Sequence, residues 1–490
     1  MKRIDVLPDD VLLEIFDFCL NMYPSYHQKD TEAWQSLVHV CRRWRSLVLG
    51  SPRRLNLRLF CTPKTLARSK LDIWPALPLI VKGCMTSSSG TDNIVAALKQ
   101  YNRVCQVLLS ELAGWQLEEV SAVMKVPFPE LTDLRLHSND KTLPALPLIP
   151  DSFLDGSAPR LQNIYLFGIS FPGLPDLLLS ATRLVDLRLK YIPHSGFISP
   201  EAMAASLSTL SSLKIFTLEY LDFQSSQSRP DTESRSLPPP KRSILPALYN
   251  FRFKGVTEYL EDLVTFIDVP QLETLEITFF NQVDFDCPRL AQFINCSQKL
   301  RACHEAHVEV SDSTASVKLR YRTHDYDSRL DDLQINISCK GPNRQLSSTK
   351  RVCNPYFLSA VEDLYIECRY SKIDWKNDAI ENTLWLQLLL PFTAVKILYI
   401  SEEFVPGIAA ALQELVGDRI TEVLPGLQNM SVEWPRPAGP SRENIERFVT
   451  ARRLSGQPVA INVRRDIIWF DEEEEEESAL SCMHSSLASI

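Results

Sequence analysis

Glycine is scarce in this chain, at 15 of 490 residues, and that scarcity removes several kinds of chemistry at once. There is no GxGxxG and no Gly-Lys-Ser/Thr in a glycine-rich turn, so no loop is built to cradle phosphates. There is no GxSxG nucleophile elbow either, and nothing gathers a nucleophile, a base and an oxyanion donor. No catalytic residue, cofactor or intrinsic enzyme activity is therefore expected. Twelve cysteines are scattered without a CxxC pair, which suits reduced thiols in the cytoplasm or nucleus. Cys303, His304 and His307 come nearest to a metal cluster. Their HxxH spacing is not the helical zinc pair, so we expect no metal and read them as a polar helix face. A positive surplus is also missing. Net charge is −9, seven negatives lie in the run Asp471–Glu477, and the remainder sits near −2. That balance offers nothing to nucleic acid or to an anionic membrane. The most apolar long stretch, 384–400, is interrupted by Gln387, Pro391 and Lys396 and is short for a membrane span. The opening MKRIDVLPDD has no apolar core of a secretory signal.

What is present begins with residues 4–52. Val11, Leu12, Ile15, Phe16, Cys19 and Leu20 recur three and four apart, as one broad helical stripe demands. Pro8 suits a first helical turn, where Asp9 and Asp10 complement the dipole. After the spacer 21–30, Ala33, Leu37, Val40, Trp44 and Leu47 repeat the pattern, until Gly50 and Pro52 end it. Two short helices cannot bury stripes this wide against each other, so the rest of the chain or a partner must cover them. Arg42, Arg43, Arg45, Arg53 and Arg54 read as cations gathered at a helix end that favours them.

Leu7 and Pro8 opening a helix, Ile15 and Phe16 on its face, and Val40-Cys41-Arg42-Arg43-Trp44 closing a later one resemble the F-box. The spacer 21–30 is longer than the tight connection usual in that family. The resemblance implies docking to a Skp-family adaptor and, through it, to a cullin-based ubiquitin ligase. It would make Leu7, Pro8, Val11, Ile15, Val40, Cys41 and Trp44 the adaptor-binding residues, with Trp44 the largest anchor.

From Val104 onward an apolar triplet spaced i, i+3, i+5 recurs, as at Leu131/Leu134/Leu136, Leu184/Leu187/Leu189 and Leu272/Leu275/Ile277. It returns at Val361/Leu364/Ile366, Val395/Leu398/Ile400 and Leu427/Met430/Val432, and intervals within the two runs are 23 to 35 residues. Helical patterns over 115–124, 200–210, 257–267, 378–390 and 406–416 fall between triplets. Strand, crossover and strand at this period mean parallel strands with right-handed connections, stacked as a solenoid. The LxxLxL strand is similar to the leucine-rich repeat. Only 131–139 matches the longer form ending in Asn; the next such positions carry Ile169, Ile192, Leu221, Phe280 and Arg369, so the array should curve unevenly.

The expected fold class is therefore α/β: a helical F-box-like module, then an irregular leucine-rich-repeat-like solenoid with a parallel sheet. The combination resembles fungal-type F-box/leucine-rich-repeat-like proteins. The expected domains are 1–52, an array over 53–435, a capping segment over 436–470 and a disordered acidic tail over 471–490. Strands are expected at 54–60 and 77–81. Within the array, Ser/Pro-rich 225–243 should be a flexible loop, and 301–353 should hold strands from units with short crossovers.

Side chains alternate along a strand, so the residue between the last two triplet positions must face the helix-free side. That column holds Arg135, Tyr165, Arg188, Arg252, Tyr365 and Tyr399, flanked by Lys190 and Lys254, and these are the candidate target-binding residues. Its basic part would select an acidic segment of an unknown protein target. The leading function is a substrate-recognition subunit of a Skp–cullin–F-box ligase. The alternative is a repeat scaffold without ligase association, and a third reading, an enzyme, would need a deep polar pocket.

Overall fold

The computed structural model describes residues 7–21, 33–86, 90–138, 148–221, 242–280, 283–321, 331–368, 381–415, 417–433 and 439–463. Three helices form the N-terminal module: α1 (Asp9–Asn21), α2 (Ala33–Val38) and α3 (Arg42–Gly50). The second expected helix is two helices, because Cys41 is extended (φ −156°, ψ 171°) and its sulfur accepts the Trp44 N–H at 3.5 Å. The Val-Cys-Arg-Arg-Trp motif thus opens α3 instead of closing a helix. Its arginines stand at the end of α3 that disfavours cations, contrary to expectation. Acidic residues of α1 offset this: Arg43 binds Asp9 and donates to the Leu7 carbonyl at 2.6 Å, and Arg54 pairs with Glu14. Leu12, Leu13, Phe16, Trp34, Val38 and Val48 are buried in one core with the array. Trp34 fixes the module to that array, donating to the Arg58 carbonyl at 3.0 Å and packing edge-on against Trp74 at 4.9 Å.

The array is built on β1 (Leu59–Cys61), β2 (Leu79–Cys84), β3 (Val104–Leu112), β4 (Asp133–Ser138), β5 (Asn163–Phe167) and β6 (Asp186–Ile192). It continues with β7 (Ile215–Tyr220), β8 (Ser243–Ile244), β9 (Asn250–Gly255), β10 (Ile267–Asp268), β11 (Thr274–Phe279) and β12 (Glu305–Val310). It ends with β13 (Thr314–Arg320), β14 (Leu333–Ser338), β15 (Asp363–Cys368), β16 (Ile397–Ile400), β17 (Asn429–Val432) and β18 (Ala460–Val463). β8 and β10 form a small parallel pair, and the other strands make a 16-stranded sheet. Along β1–β7, β9 and β11 the strands follow chain order and run parallel. Every triplet residue named above is buried, with no more than 3% of its surface exposed, because helices cover that face of the sheet. This is the mixed α/β, leucine-rich-repeat-like solenoid that the period implied.

Several local expectations need correction. Of 54–60 only Leu59 and Phe60 are strand, in the short β1 that ends at Cys61; Leu55 and Leu57 are buried in a turn in which Asn56 takes φ 47°. Helices Leu174–Ser180, Pro288–Cys296 and Pro342–Val352 join those expected, each with proline in its first turn. The strands expected within 301–353 are present, but among the described residues they do not follow one another as parallel repeat units. They fold as a meander in which β13 runs antiparallel to both β12 and β14, entered in reverse order between β11 and β15. His307 accordingly lies on a strand, not on a helix.

The helix Pro440–Leu454 buries Ile445 and Phe448, and β18 pairs parallel with β17 to cover the end of the sheet. The expected loop 225–243, apart from residues 242 and 243, and the expected tail 471–490 lie outside the described residues. Among the described residues no helix is long and apolar enough to cross a membrane.

Candidate interaction surfaces

The helical module carries an exposed apolar stripe. Along α1, Val11 and Ile15 are 42% and 41% exposed, and Phe18, which the motif reading passed over, is 64% exposed. Spacings of four and three place these three on one stripe opposite the buried Leu12, Leu13 and Phe16. Pro8, Val40 and Cys41 are also exposed, and Leu7 is half-buried. Trp44 differs from the expectation of a leading anchor. It is half-buried and packs edge-on against Phe16 at 4.7 Å, so much of its area already stabilises the module. Phe18 is legible as the next position of the stripe, three residues after Ile15, but is not one of the residues that carry the F-box resemblance.

On the helix-free face the column read from the sequence forms one continuous row of strand partners. Arg135 pairs in register with Tyr165, then Arg188, Thr217, Arg252 and Glu276. Across the meander the row continues through Gln334, Lys318 and His307 to Tyr365 and Tyr399. The last three rings stack nearly parallel, His307 on Tyr365 at 4.4 Å and Tyr365 on Tyr399 at 4.2 Å. Burial and nearby Glu305 push the Tyr365 phenol well above its usual range. Gln334, Lys318 and His307 were missed because the meander was read as separate units, which hid their register.

The basic character expected of this face is largely cancelled within it. Arg135 lies 3.5 Å from Asp133, Arg188 2.9 Å from Asp186, Lys190 3.2 Å from Glu219 and Arg252 3.3 Å from Glu276. These exposed or half-exposed pairs hold side chains in place more than they stabilise the fold, at roughly 0–1 kcal/mol each. Lys254 is placed differently: its Nζ stands over the rings of Tyr191 and Phe280.

The meander carries a buried polar network. Lys318 and Glu309 pair at 3.0 Å with side chains only 7% and 8% exposed. They line a polar hollow of about 210 Å³ with Ser311, Thr314, Ser316, Gln334 and Asn336. Next to it His307 bridges Glu305 at 2.6 Å and Glu367 at 3.4 Å. Burial lowers the His307 pKa, but the bonds to Glu305 and Glu367 outweigh it, and the net shift is upward. His307, Glu309 and Glu367 bring donor atoms within 4.8 Å of one another, a spacing open to a cation. The Lys318 ammonium already supplies positive charge at Glu309, so the residues do not fit a metal better than what they have.

Comparison with solved structures finds the leucine-rich repeat-containing protein LegL7 from Legionella pneumophila. TM-score is 0.26 and identity 12%, covering 84% of this chain and 99% of that one. It also finds TLR13 in a complex with ssRNA13, with TM-score 0.30 and identity 9%. That match covers 83% of this chain and 49% of the other. A comparison with curated proteins finds no match. The family model described as F-box-like matches residues 4–56, which span the three helices and the turn after them.

Proposed function

We propose that this chain is a substrate-recognition subunit of a Skp–cullin–F-box ubiquitin ligase, of the fungal F-box/leucine-rich-repeat-like type, acting in the cytoplasm or nucleus. The F-box-like match supports adaptor binding, and one observation carries the reading further: the exposed stripe Val11, Ile15 and Phe18, with Val40 exposed on the same module. Three large apolar side chains on one face of a short helix stay 41–64% exposed among the described residues, and contiguous exposed apolar area marks an interaction surface. The Skp-family adaptor would cover them, with Leu7, Pro8, Cys41 and part of Trp44 at the rim. The helix-free row, from Arg135 and Tyr165 through Arg188, Lys190, Arg252 and Lys254 to Tyr365 and Tyr399, would hold the protein target. The cullin and its partners would supply the transfer chemistry, and this chain proximity.

Co-purification of the full chain with a Skp-type adaptor tests the reading. Ile15→Glu with Phe18→Glu should abolish the complex while circular dichroism stays unchanged, because both side chains already face solvent. An adaptor that ignores the wild type, or that binds the double variant equally well, would leave a repeat scaffold without ligase association.

A further inference from the structure

A second line of side chains lies at the C-terminal ends of the strands, beyond the row just described. Two of its members arrive there by the same irregularity. β3 slips register on β4 between Leu109 and Leu112, and β6 slips on β7 between Leu189 and Ile192. Inside each slip one residue takes left-handed backbone, Glu111 at φ 56° and Tyr191 at φ 53°. An aromatic residue is an outlier there, where glycine would sit without strain. Bulges of this kind re-aim a side chain, and strain held at one place points to a use for it.

The re-aimed residues join a chain of contacts across five strands and the residue after β11. Glu111 lies 3.9 Å from His137, whose ring meets Phe167 at 4.2 Å between centroids. Phe167 tilts against Tyr191 at 4.6 Å, and Tyr191 is 41% exposed. Lys254 Nζ then stands 5.5 Å from the Tyr191 centroid and 5.8 Å from that of Phe280. Among the described residues no carboxylate lies within ion-pairing distance of Lys254, whereas Arg188, Lys190 and Arg252 each have one.

We propose that this rim binds an extended segment of a partner protein, which sets a carboxylate on Lys254 and an apolar or aromatic side chain on Phe167 and Tyr191. The proposal deepens the receptor reading by naming the chemistry of the target, and rests on that reading only for the target's fate. Charge complementarity selects the occupant. An ammonium held between two rings is partly desolvated, so a carboxylate gains more there than on open surface. Single-stranded nucleic acid also stacks on rings, but it needs a continuous positive track for its phosphates. Here Glu219 and Asp186 neutralise Lys190 and Arg188, and Glu111 adds a negative charge.

The test is selection of a phage-displayed library of random peptides on the full chain, followed by affinity measurement with the recovered peptides. The expected peptides carry Asp or Glu beside an aromatic or aliphatic residue. Tyr191→Gly should weaken them about tenfold or more, the loss typical of a central aromatic anchor. It should do so with a thermal midpoint close to wild type, because glycine relieves the backbone while the ring is removed. Lys254→Met should keep the apolar stem yet lose the preference for a peptide's acid over its amide counterpart. The proposal is overturned if no peptide is recovered, if acids are not enriched, or if both variants bind like wild type. It is overturned equally if Tyr191→Gly binds weakly only because it melts early, or if an oligothymidylate outcompetes the peptides. Adaptor co-purification from the same preparations reports separately on the ligase reading.

Discussion

Arg452 gives the sharpest test of how the end of the array is held. It sits in the last turn of the Pro440–Leu454 helix, 0% exposed, where the dipole favours a cation. No carboxylate faces it among the described residues. Its guanidinium instead donates to the carbonyls of Ile420 (3.3 Å), Leu424 (3.3 Å), Pro425 (3.2 Å) and Leu427 (3.4 Å). These belong to a segment in which Leu424 takes φ 50°, so one side chain gathers acceptors that no regular element pairs. Burial pushes the Arg452 pKa down, and its Nε–H finds no acceptor among the described residues. Two effects oppose each other on removal. Losing the cation relieves its desolvation, but up to four carbonyls lose a donor, and a buried unsatisfied group costs about 1–3 kcal/mol. Leu424 O keeps a second donor, the Leu427 N–H at 3.1 Å, so the full sum does not apply. We expect Arg452→Met, which preserves bulk, to destabilise the array by about 1–3 kcal/mol. Arg452→Ala adds a cavity and should cost about 2–4 kcal/mol more, as buried large-to-small changes do. Arg452→Lys should fall between them, keeping the buried charge while losing the fork that reaches several carbonyls. Urea unfolding gives the three values, and hydrogen exchange should show the loss confined to 417–463. A Met variant as stable as wild type would refute the account, since the carbonyls would then not need the guanidinium.

Other expectations follow from single contacts. Trp44→Ala should lower the thermal midpoint of the module, because Trp44 packs on Phe16, whereas Phe18→Ala should weaken adaptor capture and leave the midpoint alone. Gly407→Ala should destabilise by about 1–3 kcal/mol, as overpacking does; the added Cβ would meet the buried Trp385 Nε1 at 2.6 Å, and urea unfolding measures it. His307 has a pKa raised above 6.5 in the folded chain, so its stabilising contribution is full below 6.5 and is lost as pH rises through the folded value. A thermal midpoint that falls over that window in wild type but not in His307→Gln would bear this out, and an NMR titration of the His307 ring locates the window.

The repeat was legible because its signal is redundant. Each strand places three large apolar residues at fixed offsets, and the parallel register then follows from stacking. The row Arg135 to Tyr399 could be read because alternation along a strand leaves the residue between two core positions no other face. The meander defeated the same logic. Val308/Val310 and Leu333/Ile335/Ile337 announce strands, but alternation carries no direction, so an antiparallel β13 reads like a parallel one. Charge pairing was hidden for a related reason. Arg252 and Glu276 are 24 positions apart in sequence, yet they stand side by side once β9 and β11 pair. Tyr191 was invisible altogether, since a one-residue slip in β6 leaves no mark on composition.

The reversed meander also dictates an order of assembly. As the chain is synthesised, β1 to β11 can lay down one strand on the last, each closing the edge left by its predecessor. β11 is then followed not by its neighbour but by β12, whose parallel partner β15 comes later still. The growing edge of β11 stays bare until β14 emerges at Leu333 and zips onto it. During that interval the nascent sheet presents an open, unpaired margin, the kind that recruits foreign strands. A chain truncated between residues 279 and 333 would thus leave the margin of β11 without its clasp, β14.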